Sequence, residues 1–334
     1  MTTTFRALVV DKNEADVSLD LKNLPLSDLP EGDVTIRVAY SSINYKDGLA
    51  GTSGGGILRS YPMIPGIDLA GTVMESHDTR FREGDPVLVT GYGLGVSHFG
   101  GYAEVARVPA GWVVPLPSGL TLQEAMALGT AGFTAALSVH RLLQHGLAPE
   151  DGPVLVTGAT GGVGSVAVAL LAGLGYEVAA VTGKDTVTAH DYLRGLGAQV
   201  IVPREEIARP IPGALARERW AAAVDPVGGE MLANVLKTTR YGGAVAASGL
   251  AGGASLASLG VYPFILRGVA LLGIDSVQCP YPLRSKIWNL LAGEWKPIAA
   301  LEATPNEVTL EELPSKLTNI LEGQGIGRNI VRIT

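Results

Sequence analysis

At 334 residues, with 47% hydrophobic residues and 44 glycines, the chain is long enough for two domains and apolar enough to fill two cores. A net charge of −7 and the absence of any basic run argue against a nucleic-acid-binding face. A single cysteine, Cys279, excludes an intramolecular disulfide and a thiolate-rich zinc site. No segment approaches the ~18 apolar residues of a membrane span, and MTTTFRALVVDKNEAD lacks the apolar stretch of a signal peptide, so a cytoplasmic protein is expected.

Residues 5–10 and 34–40 predict strands; in the second, Val34, Ile36 and Val38 alternate with Thr35, Arg37 and Ala39. Leu24-Pro25 and the segment 29–33 read as turns, and 41–47, SSINYKD, leaves a strand to open a helix. Gly51 to Gly56 is a flexible loop. Strands are expected through Thr72 and Val73, at Pro86–Thr90, at 102–108 and at 112–114, each bounded by Gly or Pro. So many short strands imply a compact β-barrel-like domain over roughly the first 120 residues. Thr121-Leu-Gln-Glu124 is a capping box opening a helix, and 129–145 reads as a longer one.

The segment 154–184, VLVTGATGGVGSVAVALLAGLGYEVAAVTGK, is strand, glycine turn, helix and strand within about 30 residues, the unit that binds a dinucleotide. Ala159, Gly161 and Gly164 occupy the three places of the G-x-G-x-x-G pattern. Thr160, Gly161, Gly162 and Val163 would present backbone N–H groups to a pyrophosphate, where a bulkier residue would hold it away. About 20 residues on, where an NAD site usually carries Asp or Glu, this chain has Thr182-Gly183-Lys184, a group suited to a 2′-phosphate. NADPH is the expected cofactor. Alternation then continues with a helix at 189–196, a strand at 200–202, a strand at 221–224, a helix at 231–237 and a strand at 244–247, which implies a parallel sheet covered by helices. The tail carries a helix at Leu313–Leu321 and a strand at 329–333, best placed by a return to the first domain. The expected division is therefore 1–122 with 297–334 as a β-rich catalytic domain, and 123–296 as a Rossmann domain.

The succession PGIDLAG, GTAGFTA, VLVTGATGGVG, DPVGG and GRNIVRI resembles the medium-chain dehydrogenase/reductase superfamily over essentially the whole chain. SSINYKD, PMIPGIDLAGTV, LGTAGFTAALSV and PFILRGVALLGIDSV are similar to its YhdH/YhfP branch. The resemblance implies a GroES-like β-barrel domain joined to a doubly wound α/β Rossmann domain. It also implies NADPH-dependent reduction of acryloyl-CoA to propanoyl-CoA. Zinc-dependent relatives carry Gly-His-Glu where this chain has Gly66-Ile67-Asp68, and the histidines at 77, 98, 140, 145 and 190 pair with no Cys or acid at ligand spacing, so no metal is expected. Without a Lewis acid, the expected chemistry is hydride transfer to an electron-poor acceptor, whose enolate needs hydrogen-bond donors and then a proton.

The resemblance places Asn44, Tyr45 and Asp47 at the active-site edge of the β domain. Tyr45 is the candidate proton donor or a ring packed over the nicotinamide. Asn44 would orient the acceptor carbonyl, and Asp47 would hold the local network; the same pair has helix-cap spacing. Further cofactor contacts implied are Arg204 at the adenosine end, Leu250, Ile265 and Ser276 along the nicotinamide side, and Gln324 and Arg328 from the returning segment. A quinone is the alternative acceptor, and a non-enzymatic NADPH-binding role is the third reading. A CoA thioester would call on Arg59, Arg80 or Arg82 for its phosphates. A homodimer is implied, joined through edge strands near 269–274.

Overall fold

The computed structural model describes residues 3–13, 16–303, 306–323 and 325–334. In chain order these form β1 (Thr4–Asn13), β2 (Asp16–Pro25), β3 (Val34–Ser42), α1 (Tyr45–Ala50), β4 (Asp68–Ser76), β5 (Pro86–Thr90), β6 (Val105–Val108) and β7 (Val114–Pro115). There follow α2 (Leu122–Gln144), β8 (Val154–Val156), α3 (Gly162–Gly173), β9 (Val178–Thr182), α4 (Val187–Gly195), β10 (Val200–Pro203) and α5 (Arg204–Ala208). The chain continues through β11 (Trp220–Asp225), α6 (Gly229–Thr238), β12 (Thr239–Ala247), α7 (Tyr262–Arg267) and β13 (Ala270–Gly273). It closes with α8 (Tyr281–Ala292), α9 (Ile298–Glu302), β14 (Asn306–Val308), α10 (Leu313–Leu321) and β15 (Asn329–Arg332).

Two units emerge. The first comprises Met1–Thr130, Val277–Ala292 and Thr304–Thr334; the second comprises Ala131–Ser276 and Gly293–Ala303. This division differs from the expected one in three places, one of which is that residues 297–303 fall in the second unit. The first boundary falls at residue 130 because α2 is broken at Gly129, which has φ 52° and ψ −157°. The segment Val277–Ala292 joins the β-rich unit because Arg284 of α8, fully buried, donates to the Thr90 carbonyl at 2.7 Å and to the Thr90 hydroxyl at 3.0 Å.

In the β-rich unit the described residues form a seven-stranded sheet, β14-β15-β3-β4-β5-β7 with β6 also on β3, beside the β1-β2 hairpin. The return of β15 onto β3 pairs Val331 with Ser41, which brings the last strand to the start of α1. Strand β2 was not expected. Val17, Leu19 and Leu21 alternate there with Ser18, Asp20 and Lys22, yet none of its residues is fully buried, and it is held by ladder bonds to β1. The strand expected at 102–108 begins only at Val105, and residues 110–112 form a single 3-10 turn. Leu8, Ile43, Ile64 and Tyr102 of one core, and Ile36, Val38, Leu69 and Val89 of another, fill the unit.

In the second unit β10-β9-β8-β11-β12-β13 form a parallel sheet. Starting at β8, the chain winds out to β10 on one side and then to β13 on the other, so the order reverses between β8 and β11. Ligands of doubly wound sheets bind at such a reversal. The short strands β8, β9 and β11 are wholly buried, as their unbroken apolar runs require.

Candidate active site

The cofactor turn lies at the carboxyl end of β8. Gly158, at φ 55°, turns the chain, and the Gly161 N–H closes the turn onto the Gly158 carbonyl at 2.9 Å. Gly161 then caps α3, leaving Gly162 and Val163 in its first turn. A Cβ on Gly164 would lie 2.7 Å from the Ala159 Cα, so glycine there permits the helix to approach the turn. These residues fit a pyrophosphate: a helix N-terminus with backbone donors and no side chain in the way.

Thr182, the last residue of β9, forms a compact cluster with Gly183 and Lys184. The Lys184 N–H donates to the Thr182 hydroxyl oxygen at 3.0 Å, and the Lys184 ammonium donates to Thr160 Oγ1 at 3.1 Å, tying the end of β9 to the glycine turn. Arg204, the first residue of α5, lies over Gly183, where a Cβ would sit 2.6 Å from its Cζ. Burial, and then the neighbouring Arg204 charge, hold the Lys184 ammonium below the usual lysine range. Two cations pressed together are costly until an anion lies between them. The carboxylate that could have served a ribose, Asp185, has a fully exposed side chain and pairs outward with His190 at 3.7 Å.

Sequence reasoning passed over Asp225, at the end of β11. It is fully buried, accepts from the Thr157 hydroxyl at 2.7 Å and the Gly228 N–H at 2.6 Å, and so joins the glycine turn to the DPVGG loop across the reversal point. Burial pushes its carboxyl up from the ordinary value. Leu250 lies in the loop after β12 and Ile265 on α7, both exposed; Ser276 follows β13. Gln324 lies outside the described residues.

In the β-rich unit, Tyr45 is the first residue of α1 and is 47% exposed. Behind it the polar side chains are buried. Asp47 accepts the Asn44 N–H on Oδ2 at 2.9 Å, as a capping box requires, and the Ile67 N–H on Oδ1 at 3.0 Å. The Asn44 side chain does something else. Its amide donates to Asp68 Oδ2 at 2.8 Å, and its Oδ1 accepts from Arg328 at 3.2 Å. Both ends of the amide are thus engaged in holding the start of α1, and the residue is 8% exposed. Arg328, expected to reach cofactor or substrate, is buried as well; it donates to the Ala127 and Ile43 carbonyls at 2.9 and 3.3 Å. Through these bonds its guanidinium helps close the returning segment onto α1.

Four members of this network were not singled out as site residues: Ser42, Asp68 and Thr130, which lie inside the stretches SSINYKD, PGIDLAG and GTAGFTA, and Tyr102. The Tyr102 hydroxyl donates to the Ser42 carbonyl at 3.0 Å, and burial followed by the Asp47 charge pushes its phenol well above the ordinary value. Burial and the neighbouring Asp68 carboxylate push Asp47 up to about 7. Ile67, at the position of a zinc relative's ligand histidine, instead ties β4 to Asp47 through its backbone. Of the arginines suggested for CoA phosphates, Arg80 is closed onto Asp78 by two bonds at 2.9 and 2.8 Å, whereas Arg59 is exposed.

Comparison with known proteins places these features in a family. Residues 30–118 match the Alcohol dehydrogenase GroES-like domain, and residues 162–292 match the family described as Zinc-binding dehydrogenase. The chain is 54% identical over 333 residues to the putative quinone oxidoreductase YhfP of Bacillus subtilis, with all of both chains covered. The crystal structure of Bacillus subtilis yhfP with NAD bound superposes with a TM-score of 0.95, covering 99% of this chain and 100% of that one. Identity to the acrylyl-CoA reductase AcuI of Ruegeria pomeroyi is also 54%, over 98% of this chain and 99% of the relative. The yhdH oxidoreductase of Salmonella enterica in complex with NADP is 48% identical, with a TM-score of 0.95 over 98% of this chain and 100% of that one.

Proposed function

The chain belongs to the medium-chain dehydrogenase/reductase superfamily, and on that premise we propose that it is an NADPH-dependent reductase that converts acryloyl-CoA to propanoyl-CoA. What carries the choice of cofactor is the Lys184–Arg204 cation pair beside Gly183, with Asp185 turned outward. That pair suits a 2′-phosphate, and charge-assisted hydrogen bonds to it contribute roughly 1.5–3 kcal/mol each. Bound at the glycine turn, NADPH would supply a hydride to the β-carbon of an α,β-unsaturated thioester. Thr160 and Lys184 hold the ribose phosphate end, Gly161 to Val163 supply backbone donors, and Asp225 keeps the turn in place from β11.

In the β-rich unit, Tyr45 is the group we assign to the proton that the α-carbon takes up. It is exposed at the start of α1, while Asn44, Asp47 and Arg328 hold that start rigid from behind. A rigid mount favours proton transfer because misplacement by about 1 Å can cost 10²-fold in rate. The resemblance to YhfP keeps quinone reduction as the second reading. Both readings need an electron-poor acceptor.

The experiment is turnover with C4-deuterated NADPH. Deuterium should appear on the β-carbon of propanoyl-CoA and solvent hydrogen on the α-carbon. Tyr45→Phe, which keeps the ring, should lower kcat about 10²-fold with little change in NADPH affinity. Turnover of quinones alone would refute the thioester assignment, and an unaffected Tyr45→Phe would remove the hydroxyl from the chemistry.

We also infer a homodimer paired through β13. That strand ends its sheet among the described residues, and Tyr262, Leu266 and Leu271 around it are exposed. An open apolar edge is a ready template for a second copy. Light scattering in solution reads the outcome: a monomer at micromolar concentration would overturn it.

A further inference from the structure

Asp68 has no part in the chemistry assigned above, yet more donors converge on it than on any other side chain of its network. It is fully buried at the start of β4. It accepts from the Ser42 hydroxyl, from the Asn44 amide at 2.8 Å, from the Thr130 N–H at 2.9 Å and from the Thr130 hydroxyl. These donors come from the end of β3, the start of α1 and the restart of α2 after its break. The break makes room for the carboxylate: a Cβ on Gly129 would lie 2.6 Å from Asp68 Oδ2, 2.8 Å from Arg328 Nη2 and 2.8 Å from Ser42 Oγ.

The Asn44 amide that Asp68 holds also reaches Asp47 Oδ2 at 3.2 Å. Two buried carboxyl groups therefore meet at one amide. The other charged or titratable groups facing them are Arg328, which donates to Asn44 Oδ1 at 3.2 Å, and the Tyr102 phenol. One anion is balanced by Arg328; a second would be buried without compensation. Asp47 is the group that can yield, since it titrates near 7 under burial and the Asp68 charge.

We propose that Asp68 is a positioning residue for the reduction: through the shared Asn44 amide it governs the proton on Asp47 and thereby the geometry of the first turn of α1, which presents Tyr45. This rests on the reductase reading given above. With Asp47 neutral, its oxygens take the Asn44 and Ile67 N–H groups without charging the interior. Once Asp47 ionises, the uncompensated anion pushes against Asp68, and the turn that Asp47 caps loosens.

Aspartate labelled with ¹³C at the side-chain carboxyl tests this without turnover. Wild type should show one aspartate titrating near pH 7, absent in Asp47→Asn and displaced downward by one pH unit or more in Asp68→Asn. The inflection in the pH–kcat profile should move with it, and NADPH affinity should stay within twofold. A titration unchanged in folded Asp68→Asn would sink the proposal, as would parallel losses of kcat and NADPH affinity. If Asp68→Asn does not fold, hydrogen exchange in the wild type decides. Corrected for intrinsic rates, the protection of the Asp47 and Gly48 amides should fall tenfold or more between pH 6 and 8 while that of α10 stays constant. Equal behaviour of the two helices would overturn the idea. Should the wild type reduce no enoyl thioester, the reductase reading falls, and the titration and exchange results still judge the coupling of Asp68 to Asp47.

Discussion

The cofactor turn draws its groups from β8, α3, β9 and the start of α5, a single local stretch, whereas the Asp68 network joins residues as far apart as Asn44 and Arg328, 284 positions away in sequence. The first is built of backbone N–H groups and absent side chains, with cations at its rim. The second is built of side chains that satisfy one another in the interior. A local device can lose a contact and keep its shape, because the strand and helix around it persist. A buried network cannot, because each orphaned donor or acceptor costs about 1–3 kcal/mol. The two regions should therefore fail differently.

Gly129→Ala should produce the largest effect. A Cβ there meets Asp68, Arg328 and Ser42 at 2.6–2.8 Å, and φ 52° adds backbone strain. Strain of ~1–3 kcal/mol together with displacement of buried polar partners implies a loss of at least ~4 kcal/mol. Urea denaturation measures it; a loss under 1 kcal/mol would mean that the break in α2 is not built around Asp68.

Next in size is the pH dependence of stability. Asp47 has a folded pKa raised from 3.8 to about 7, so the folded state holds its proton more tightly than the unfolded chain. Stability from this group is complete below about pH 4 and is lost as pH rises through about 7, by at most ~4 kcal/mol. Asp47→Asn should flatten that slope. The same change in stability between pH 4 and 7 in Asp47→Asn as in the wild type would show that Asp47 does not couple to folding.

The cofactor turn should respond more mildly and more selectively. Lys184→Ala is expected to weaken NADPH binding about tenfold or more, some 1.4 kcal/mol, while leaving the melting temperature and NADH affinity nearly unchanged. Equal losses for both cofactors would move Lys184 from the phosphate to the fold. Asp185→Ala should do least. Its side chain is exposed and faces His190, so affinity for either cofactor should stay within twofold by titration. A gain in NADPH affinity beyond that would show Asp185 repelling the phosphate.

How much was legible in advance follows the same division. The strand–turn–helix–strand of 154–184 was readable because apolar runs and glycine spacing act over a few residues, and β8 and α10 emerge with the expected bounds. The capping box at Thr121 and Glu124 is formed as its spacing implies, with bonds of 2.8 and 3.1 Å. Strand β2 was passed over although Val17, Leu19 and Leu21 keep a period of two, because the run is short and Asp- and Lys-rich and reads equally as a solvated connection. Asn44 and Asp47 were found through their motif, yet their bonds to Asp68 and Arg328 could not be foreseen from it.

What the sequence by itself determined is the order of elements, the glycine turn with its Lys184 rim and the replacement of a ligand histidine by Ile67. Each depends on residue type and short spacing. The tertiary structure alone decided that Asp68, Ser42 and Thr130 belong with Asn44, that Arg328 turns inward, and that α2 breaks at Gly129. Those choices depend on which buried polar groups find partners across long separations, and burial makes the pairing compulsory without leaving a period in the chain.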